Sequence, residues 1–287
     1  MIIILSMSSC TTLTENSLSL QQTLTSGQCF RVSCRDGSWT VRSGVDEKVR
    51  ELTVSQDNLS PIEKAPYWSN FFDLQTDYEK MKKYFSDNWE TMKTACSYAP
   101  GIRILRQDRW EALACFVVSQ NNNIKRIMGI VERLCTRFGR QNPEGVHGFP
   151  NARTLADAPL DKLRDCGLGF RDTYIRNTAT AVLEGNIDFE FLCSAPIEDA
   201  RRMLTKTRGI GPKVADCALL FGCHRLNCFP VDVWMKRVME SCFDGKDGTI
   251  FGENAGVAQQ YLFHWGRTSG ILNTAKGNTK DTAKGKQ

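Results

Sequence analysis

Lys213 and Asp232 are the residues of this chain whose types and settings best suit covalent chemistry on a nucleic acid. Lys213 follows Gly209-Ile210-Gly211-Pro212, a glycine-bracketed hairpin, and opens the helical run Lys213–Phe221. Two glycines permit a tight turn whose N–H groups face outward with no side chain in the way. Those groups lie where a helix begins, so they form an anion site suited to a phosphate. An amine held beside a bound sugar–phosphate backbone is a candidate nucleophile, because lysine forms Schiff bases with sugar carbons. Asp232 follows Pro230-Val231 and precedes VWMKRVMESC, which makes it an expected N-cap. A capping carboxylate accepts backbone hydrogen bonds and stays ionised. Each residue also has a plainer use. A Gly-Ile-Gly hairpin alone suits non-enzymatic DNA binding, a lone lysine neutralises phosphate, and a lone aspartate only caps.

The elements that must hold these residues are legible in two halves. Val32–Arg35 and Ser38–Val41, joined by Asp36-Gly37, read as a β-hairpin, and Val49–Ser55 as a further strand. From Thr76 the apolar period becomes helical, with Tyr78, Met81, Tyr84 and Phe85 on one stripe. Helical patterns continue over Arg109–Gln120, Ile124–Phe138, Leu160–Cys166, Thr173–Glu184, Ile197–Thr205, Lys213–Phe221, Val233–Cys242 and Asn254–Trp265. A small antiparallel sheet followed by many helices predicts an α+β fold. The expected divisions are an N-terminal extension over 1–23, a sheet-containing domain over 24–107, a helical domain over 108–267 and a disordered, lysine-bearing tail over 268–287. Within the extension, Met7 is an alternative start.

Hydrophobic content of 41% with 24% charged residues fits a soluble globular chain. The net charge of +5 is compatible with a nucleic-acid partner and is weak evidence alone. No apolar run reaches the roughly 18 residues of a membrane span. The twelve cysteines form no CxxC pair. Buried, reduced thiols in a reducing compartment are therefore the expectation, with no metal and no cofactor. His147, His224 and His264 have no metal-ligand spacing and are expected to be structural.

Four further segments add to the hairpin: Ser26-Gly27-Gln28-Cys29-Phe30-Arg31, Ser119-Gln120-Asn121-Asn122-Asn123-Ile124-Lys125-Arg126-Ile127, Gly167-Leu168-Gly169-Phe170-Arg171, and GVAQQYLF at Gly256–Phe263. With these, from about Leu24 to about Gly266, the chain resembles the 8-oxoguanine DNA glycosylase/lyases of the helix-hairpin-helix glycosylase superfamily. The resemblance implies an N-terminal sheet domain beside a helical domain pair, with DNA in the cleft. Relatives that carry an iron–sulfur cluster hold it with four cysteines after the aspartate; here only Cys242 follows Asp232.

The resemblance also implies roles. Lys213 would attack C1′ of the damaged nucleotide, with Asp232 stabilising positive charge on the sugar and orienting the amine. Phe263 and Cys217 would sandwich the flipped base, Gln259 would read its edge, and the Gly27 carbonyl would accept from N7–H of 8-oxoguanine. Asn121, Arg126 and Arg171 would read the orphaned cytosine, with Phe170 wedged into the gap. Gly209 and Gly211 would hold a phosphate. Taken singly, Cys217 is a core thiol, Phe263 helix core, and Asn121-Asn122-Asn123 a loop and cap. Departures from the family pattern are Phe170 for tyrosine, Thr207-Arg208 for Leu-Pro, and Trp234 for a histidine that is frequent in eukaryotic members. Phe221 stands where a smaller, flexible side chain can occur. The implied activity is excision of 8-oxoguanine opposite cytosine, then strand nicking by β-elimination. The expected partner is lesion-bearing double-stranded DNA, engaged by a monomer with no membrane. The expected compartment is intracellular, the nucleus in a eukaryote or the nucleoid in a prokaryote. The alternatives are a same-fold glycosylase for another damaged base and a non-catalytic damage-binding protein.

Overall fold

The computed structural model describes residues 13–270. A short helix, α1 (Leu20–Thr25), is capped by Ser19, whose hydroxyl accepts from the Gln22 N–H. An antiparallel sheet follows in the order β1 (Val32–Arg35), β2 (Ser38–Ser43), β3 (Arg50–Ser55). Asp36-Gly37 forms the tight turn between Arg35 and its partner Ser38. In the second pairing Trp39 faces Val54 and Val41 faces Leu52. This alternation buries Val41, Leu52 and Val54 on one face and leaves Glu51 and Thr53 exposed on the other.

Four helices complete the N-terminal half: α2 (Ser60–Lys64), α3 (Pro66–Phe71), α4 (Tyr78–Asn88) and α5 (Glu90–Tyr98). The remainder is helical: α6 (Arg109–Val118), α7 (Ile124–Phe138), α8 (Ala152–Asp157), α9 (Leu160–Asp165), α10 (Arg171–Leu183), α11 (Phe189–Ser194), α12 (Ile197–Thr205), α13 (Pro212–Phe221), α14 (Val233–Cys242) and α15 (Ala255–Thr268). Local side-chain chemistry sets several starts. Asp108, Asn123 and Asp232 each accept the N–H three residues on, at 2.9, 2.9 and 2.8 Å.

Two cores form. The smaller gathers Leu18, Leu20, Leu24, Val41, Val54, Ile62 and Phe71 around the inner sheet face. The larger unites α6 to α15 and also takes Tyr78, Phe85, Met92 and Ala95 from α4 and α5. The folded chain thus begins before Leu24, since Leu18 and Leu20 are fully buried. Helix α4, expected within the sheet-containing domain, packs its apolar stripe against the helical core, as does α5. Tyr84 of the expected stripe is 48% exposed and packs edge-on to Trp89. The alternative starts at Met1 and Met7 lie outside the described residues. So does all of the expected tail beyond residue 270, while Thr268 closes α15.

Two buried ionic hubs clamp the halves together. Arg31 pairs with Glu111 of α6 at 3.4 Å and donates to the carbonyls of Gly44 and His147. Burial raises the Glu111 carboxyl above its usual range, against the pull of Arg31 and the Gly44 N–H. Asp73, fully buried, accepts from Arg106 at 2.7 Å and Tyr78 at 2.8 Å and faces His224 at 3.3 Å. Burial opposes its charge, yet His224 beside it and the bonds from Arg106 and Tyr78 hold it below the usual carboxylate range. His224 lies just after α13, so this hub fixes the far end of the helix that begins with the candidate nucleophile.

Candidate active site

Helix α13 starts at Gly211, with Pro212 in its first turn and Lys213 next. Proline suits that position because its missing N–H would be unpaired there anyway. Gly209 precedes it at φ +106°, where a Cβ would lie 2.5 Å from the Tyr174 ring. Both constraints demand glycine. The Gly209 carbonyl accepts from Gln120 Nε2 at 2.8 Å, which ties the hairpin to the segment entering Asn121.

Lys213, Cys217, Asp232, Gln259, Phe263 and Gly27 come together around one cavity of about 50 Å³. Lys213 Nζ stands 5.3 Å from the Phe116 ring centroid. Cys217 is one turn further along α13 on the same face. Burial pushes its thiol up to about 11, with Lys213 pulling the other way, so it is protonated near neutral pH. Asp232 reaches the cavity from the cap of α14. Gln259 and Phe263 are neighbours on α15. Gln259 is 5% exposed, and its Oε1 has no hydrogen-bond partner. An unpaired buried acceptor costs about 1–3 kcal/mol, so its persistence in a cavity wall marks a group set to receive a donor from a ligand.

Gly27 also lines the cavity, at φ +81°. Its segment is held rigidly. Gln260 Nε2 donates to the Ser26 carbonyl at 3.0 Å, and buried Gln28 donates to Thr23, Ser26 and Arg103 while accepting from the Leu105 N–H. Ser26, Phe116, Pro230 and Gln260 are cavity walls beyond those expected from sequence. Phe221 lines the cavity too and stacks on Phe116 at 5.2 Å, as its bulk suggested.

The remaining residues form a second, open face. Asn121, at φ +45°, and Arg126 are exposed, and the Arg126 side chain has no partner among the described residues. Phe170 is 54% exposed, edge-on to Tyr174 at 5.8 Å. Arg171, expected as a cytosine reader, is engaged with backbone in this structure. It is 2% exposed and donates to the carbonyls of Gln120, Asn121 and Leu168. In this conformation it holds the Asn121 turn in place, and contact with a base would require it to exchange those bonds. Burial and then the nearby Arg126 charge lower its pKa. Trp234 lies half-buried with Arg237 over its ring at 5.5 Å, and Arg208 is exposed. Among the described residues no cluster of three or more His, Cys, Asp or Glu side chains is arranged to hold a metal, and no helix is long and apolar enough to cross a membrane.

Comparison with known proteins places this geometry. Residues 11–113 match the N-terminal domain of 8-oxoguanine DNA glycosylase, and residues 114–249 match the HhH-GPD superfamily of base excision DNA repair proteins. The N-glycosylase/DNA lyase of Saccharomyces cerevisiae is 33% identical over 258 residues, covering 78% of this chain and 68% of the yeast protein. The chain belongs to the 8-oxoguanine DNA glycosylase/lyase family. A solved family structure agrees. The Clostridium acetobutylicum 8-oxoguanine glycosylase/lyase, bound to double-stranded DNA with cytosine opposite 8-oxoguanine, superposes with TM-score 0.78 at 31% identity, covering 90% of this chain and 94% of that one. A 3-methyladenine DNA glycosylase from Archaeoglobus fulgidus shares the fold with TM-score 0.66 at 19% identity. The fold alone therefore does not select the base; within the 8-oxoguanine glycosylase/lyase family, the cavity walls must.

Proposed function

We propose that this protein excises 8-oxoguanine opposite cytosine in duplex DNA through a Schiff base on Lys213, then nicks the strand. The observation that carries the reading is the unpaired Oε1 of Gln259, buried in the same cavity wall system as Lys213 and Cys217. A flipped purine brings ring N–H donors to such an acceptor and a flat face for Phe263. The Gly27 carbonyl would accept from N7–H of the lesion, where guanine presents a bare acceptor instead. That mismatch is worth about 1–3 kcal/mol, so further selection must come from base flipping or from the geometry of attack. A cavity of about 50 Å³ is smaller than the roughly 150 Å³ that admits benzene, so its aromatic walls must part to admit a purine.

In the proposed reaction the Lys213 amine forms a bond to C1′ as the C1′–N9 bond breaks and the base leaves with its electron pair and a proton. Ring opening of the sugar yields an imine between Nζ and C1′. The imine acidifies C2′–H; its proton goes to a base, the C2′–C3′ double bond forms, and the 3′ phosphate departs. Asp232 stabilises the positive charge that develops on the sugar. Its capping bond from the Met235 N–H keeps the carboxylate fixed while the charge grows. Arg126 and Asn121 would meet the acceptors that cytosine presents once its pair is broken, and Phe170 would fill the gap in the stack. The hairpin at Gly209–Gly211 would hold a phosphate of the lesion strand. One chain acting on one duplex, wherever the cell keeps its DNA, is the functional unit.

A panel of duplexes tests this reading. Each carries one 8-oxoguanine, alkylated purine or oxidised pyrimidine, with each normal base opposite in turn. Fastest excision with strand cleavage at 8-oxoguanine opposite cytosine is the expected result. Preference for an alkylated purine, or tight binding without cleavage, would replace it with the other-base or damage-binding reading.

A further inference from the structure

Arg267 lies one turn beyond Phe263 on α15, so the two side chains share a face. Its guanidinium sits 5.6 Å from the Phe263 ring centroid. A Cβ built on Gly27 would lie 3.4 Å from Ile124 Cδ1, 3.5 Å from Phe263 Cε1 and 3.7 Å from Arg267 Nη1. These side chains therefore meet beside Gly27, and Arg267 flanks Gly27 and Phe263, which line the cavity. Arg267 is half-buried, and it donates to no acceptor among the described residues. Burial pushes its pKa below the ordinary arginine value, and the Asp232 carboxylate opposes that shift. A desolvated guanidinium with unused donors is held at some cost unless an acceptor arrives with the ligand.

We infer that Arg267 is a specificity-determining residue of the base pocket, donating to a carbonyl oxygen that flanks N7–H on the flipped 8-oxoguanine. The inference rests on the proposed lesion. On that base, N7–H is flanked by the oxygens on C6 and C8. A carbonyl that accepts from N7–H, with a donor at its side, reproduces the complement of that edge. Guanine lacks both the N7 hydrogen and the C8 oxygen, so the arrangement as a whole favours the damaged base. Cation–π attraction holds the guanidinium beside the Phe263 ring until the base enters.

The experiment compares wild type with Arg267→Gln and Arg267→Lys on two duplexes of identical sequence. One carries 8-oxoguanine opposite cytosine, and the other a preformed abasic site. Single-turnover base excision by Arg267→Gln should fall about tenfold, the loss of one charge-assisted hydrogen bond. Its strand cleavage at the abasic site, which has no base to contact, should match wild type. Arg267→Lys, which keeps a donor of different shape, should recover part of the excision rate. Equal losses on both duplexes, with a shallower salt dependence of binding, would reassign Arg267 to a DNA phosphate and overturn the inference. No loss on either duplex, at an unchanged melting temperature, would overturn it as well. If wild type itself fails to excise 8-oxoguanine, the proposed lesion falls first; an active wild type with indifferent variants sinks only the role of Arg267.

Discussion

The cavity around Lys213 and the face around Arg126 are built in opposite ways. In the cavity, the polar groups sit on helices α13, α14 and α15, and Gln259 is buried with an unused acceptor. Its carbonyl wall at Gly27 is locked by Gln28 and Gln260. On the other face, Asn121 occupies a turn, Arg126 the exposed first turn of α7, and Phe170 the start of α10. There the one buried cation, Arg171, is engaged in holding backbone. The difference teaches where selectivity is rigid and where it is adjustable. A preorganised, desolvated cavity discriminates through groups that cannot relax, whereas exposed cations adapt and are screened by salt.

The largest effect short of removing the nucleophile should come from Asp232→Asn. Asparagine caps a helix as well as aspartate, so the melting temperature should hold while the charge disappears. Single-turnover excision should fall on the order of 10²-fold. An activity loss matched by a loss of stability would make Asp232 a cap only. Next, Gln259→Leu should separate recognition from folding. It removes an unpaired buried acceptor, so chemical denaturation should show equal or greater stability. Excision should nonetheless drop by about tenfold or more. A destabilised but fully active variant would show that the amide serves packing alone.

On the open face the expected changes are smaller. Arg126→Ala should lower the preference for cytosine over other opposite bases by about 3- to 10-fold, corresponding to the loss of one exposed hydrogen-bonding group. Unchanged discrimination among the four opposite bases would break the contrast drawn between the two faces.

Alkaline titration has its smallest effect near neutral pH. Burial pushes the thiols of Cys29, Cys96 and Cys135 up to about 12 and that of Cys217 up to about 11. Unfolded thiols titrate near about 8.5. Above that pH the unfolded chain loses protons that the folded chain retains, so stability falls as pH rises towards 11–12. The urea midpoint under reducing conditions should therefore be lower at pH 10 than at pH 8. Equal midpoints would mean that these thiols are not desolvated.

Long amphipathic helices were the most legible part of the sequence. The predicted spans Ile124–Phe138, Ile197–Thr205 and Val233–Cys242 coincide with α7, α12 and α14, and the Asp-Gly hairpin falls where expected. Helices α1, α2, α3, α8 and α11 were not anticipated, since five or six residues give a 3.6-residue period little room to repeat; of the helices this short only α9 was expected. α5 was missed as well; its buried Met92, Ala95 and Cys96 form a weak stripe. In the candidate site, the spacing of Lys213 with Cys217 and of Gln259 with Phe263 indicated shared faces. Phe116 gave no such signal, since every residue from Trp110 to Val118 is buried and no polar side marks which face meets the cavity. The bonds of Arg171 to the backbone were not foreseen, because sequence does not reveal that three carbonyls converge on it.

The central claim is that Lys213 forms a covalent imine with the lesion nucleotide. Wild type and Lys213→Gln should each be incubated with a duplex carrying 8-oxoguanine opposite cytosine, with borohydride present to reduce any imine to a stable amine. A protein–DNA adduct with wild type alone, and retained binding of the same duplex by Lys213→Gln, is the predicted result. An adduct that persists in Lys213→Gln would assign the nucleophile to another amine. Excision by wild type with no adduct would contradict covalent catalysis altogether.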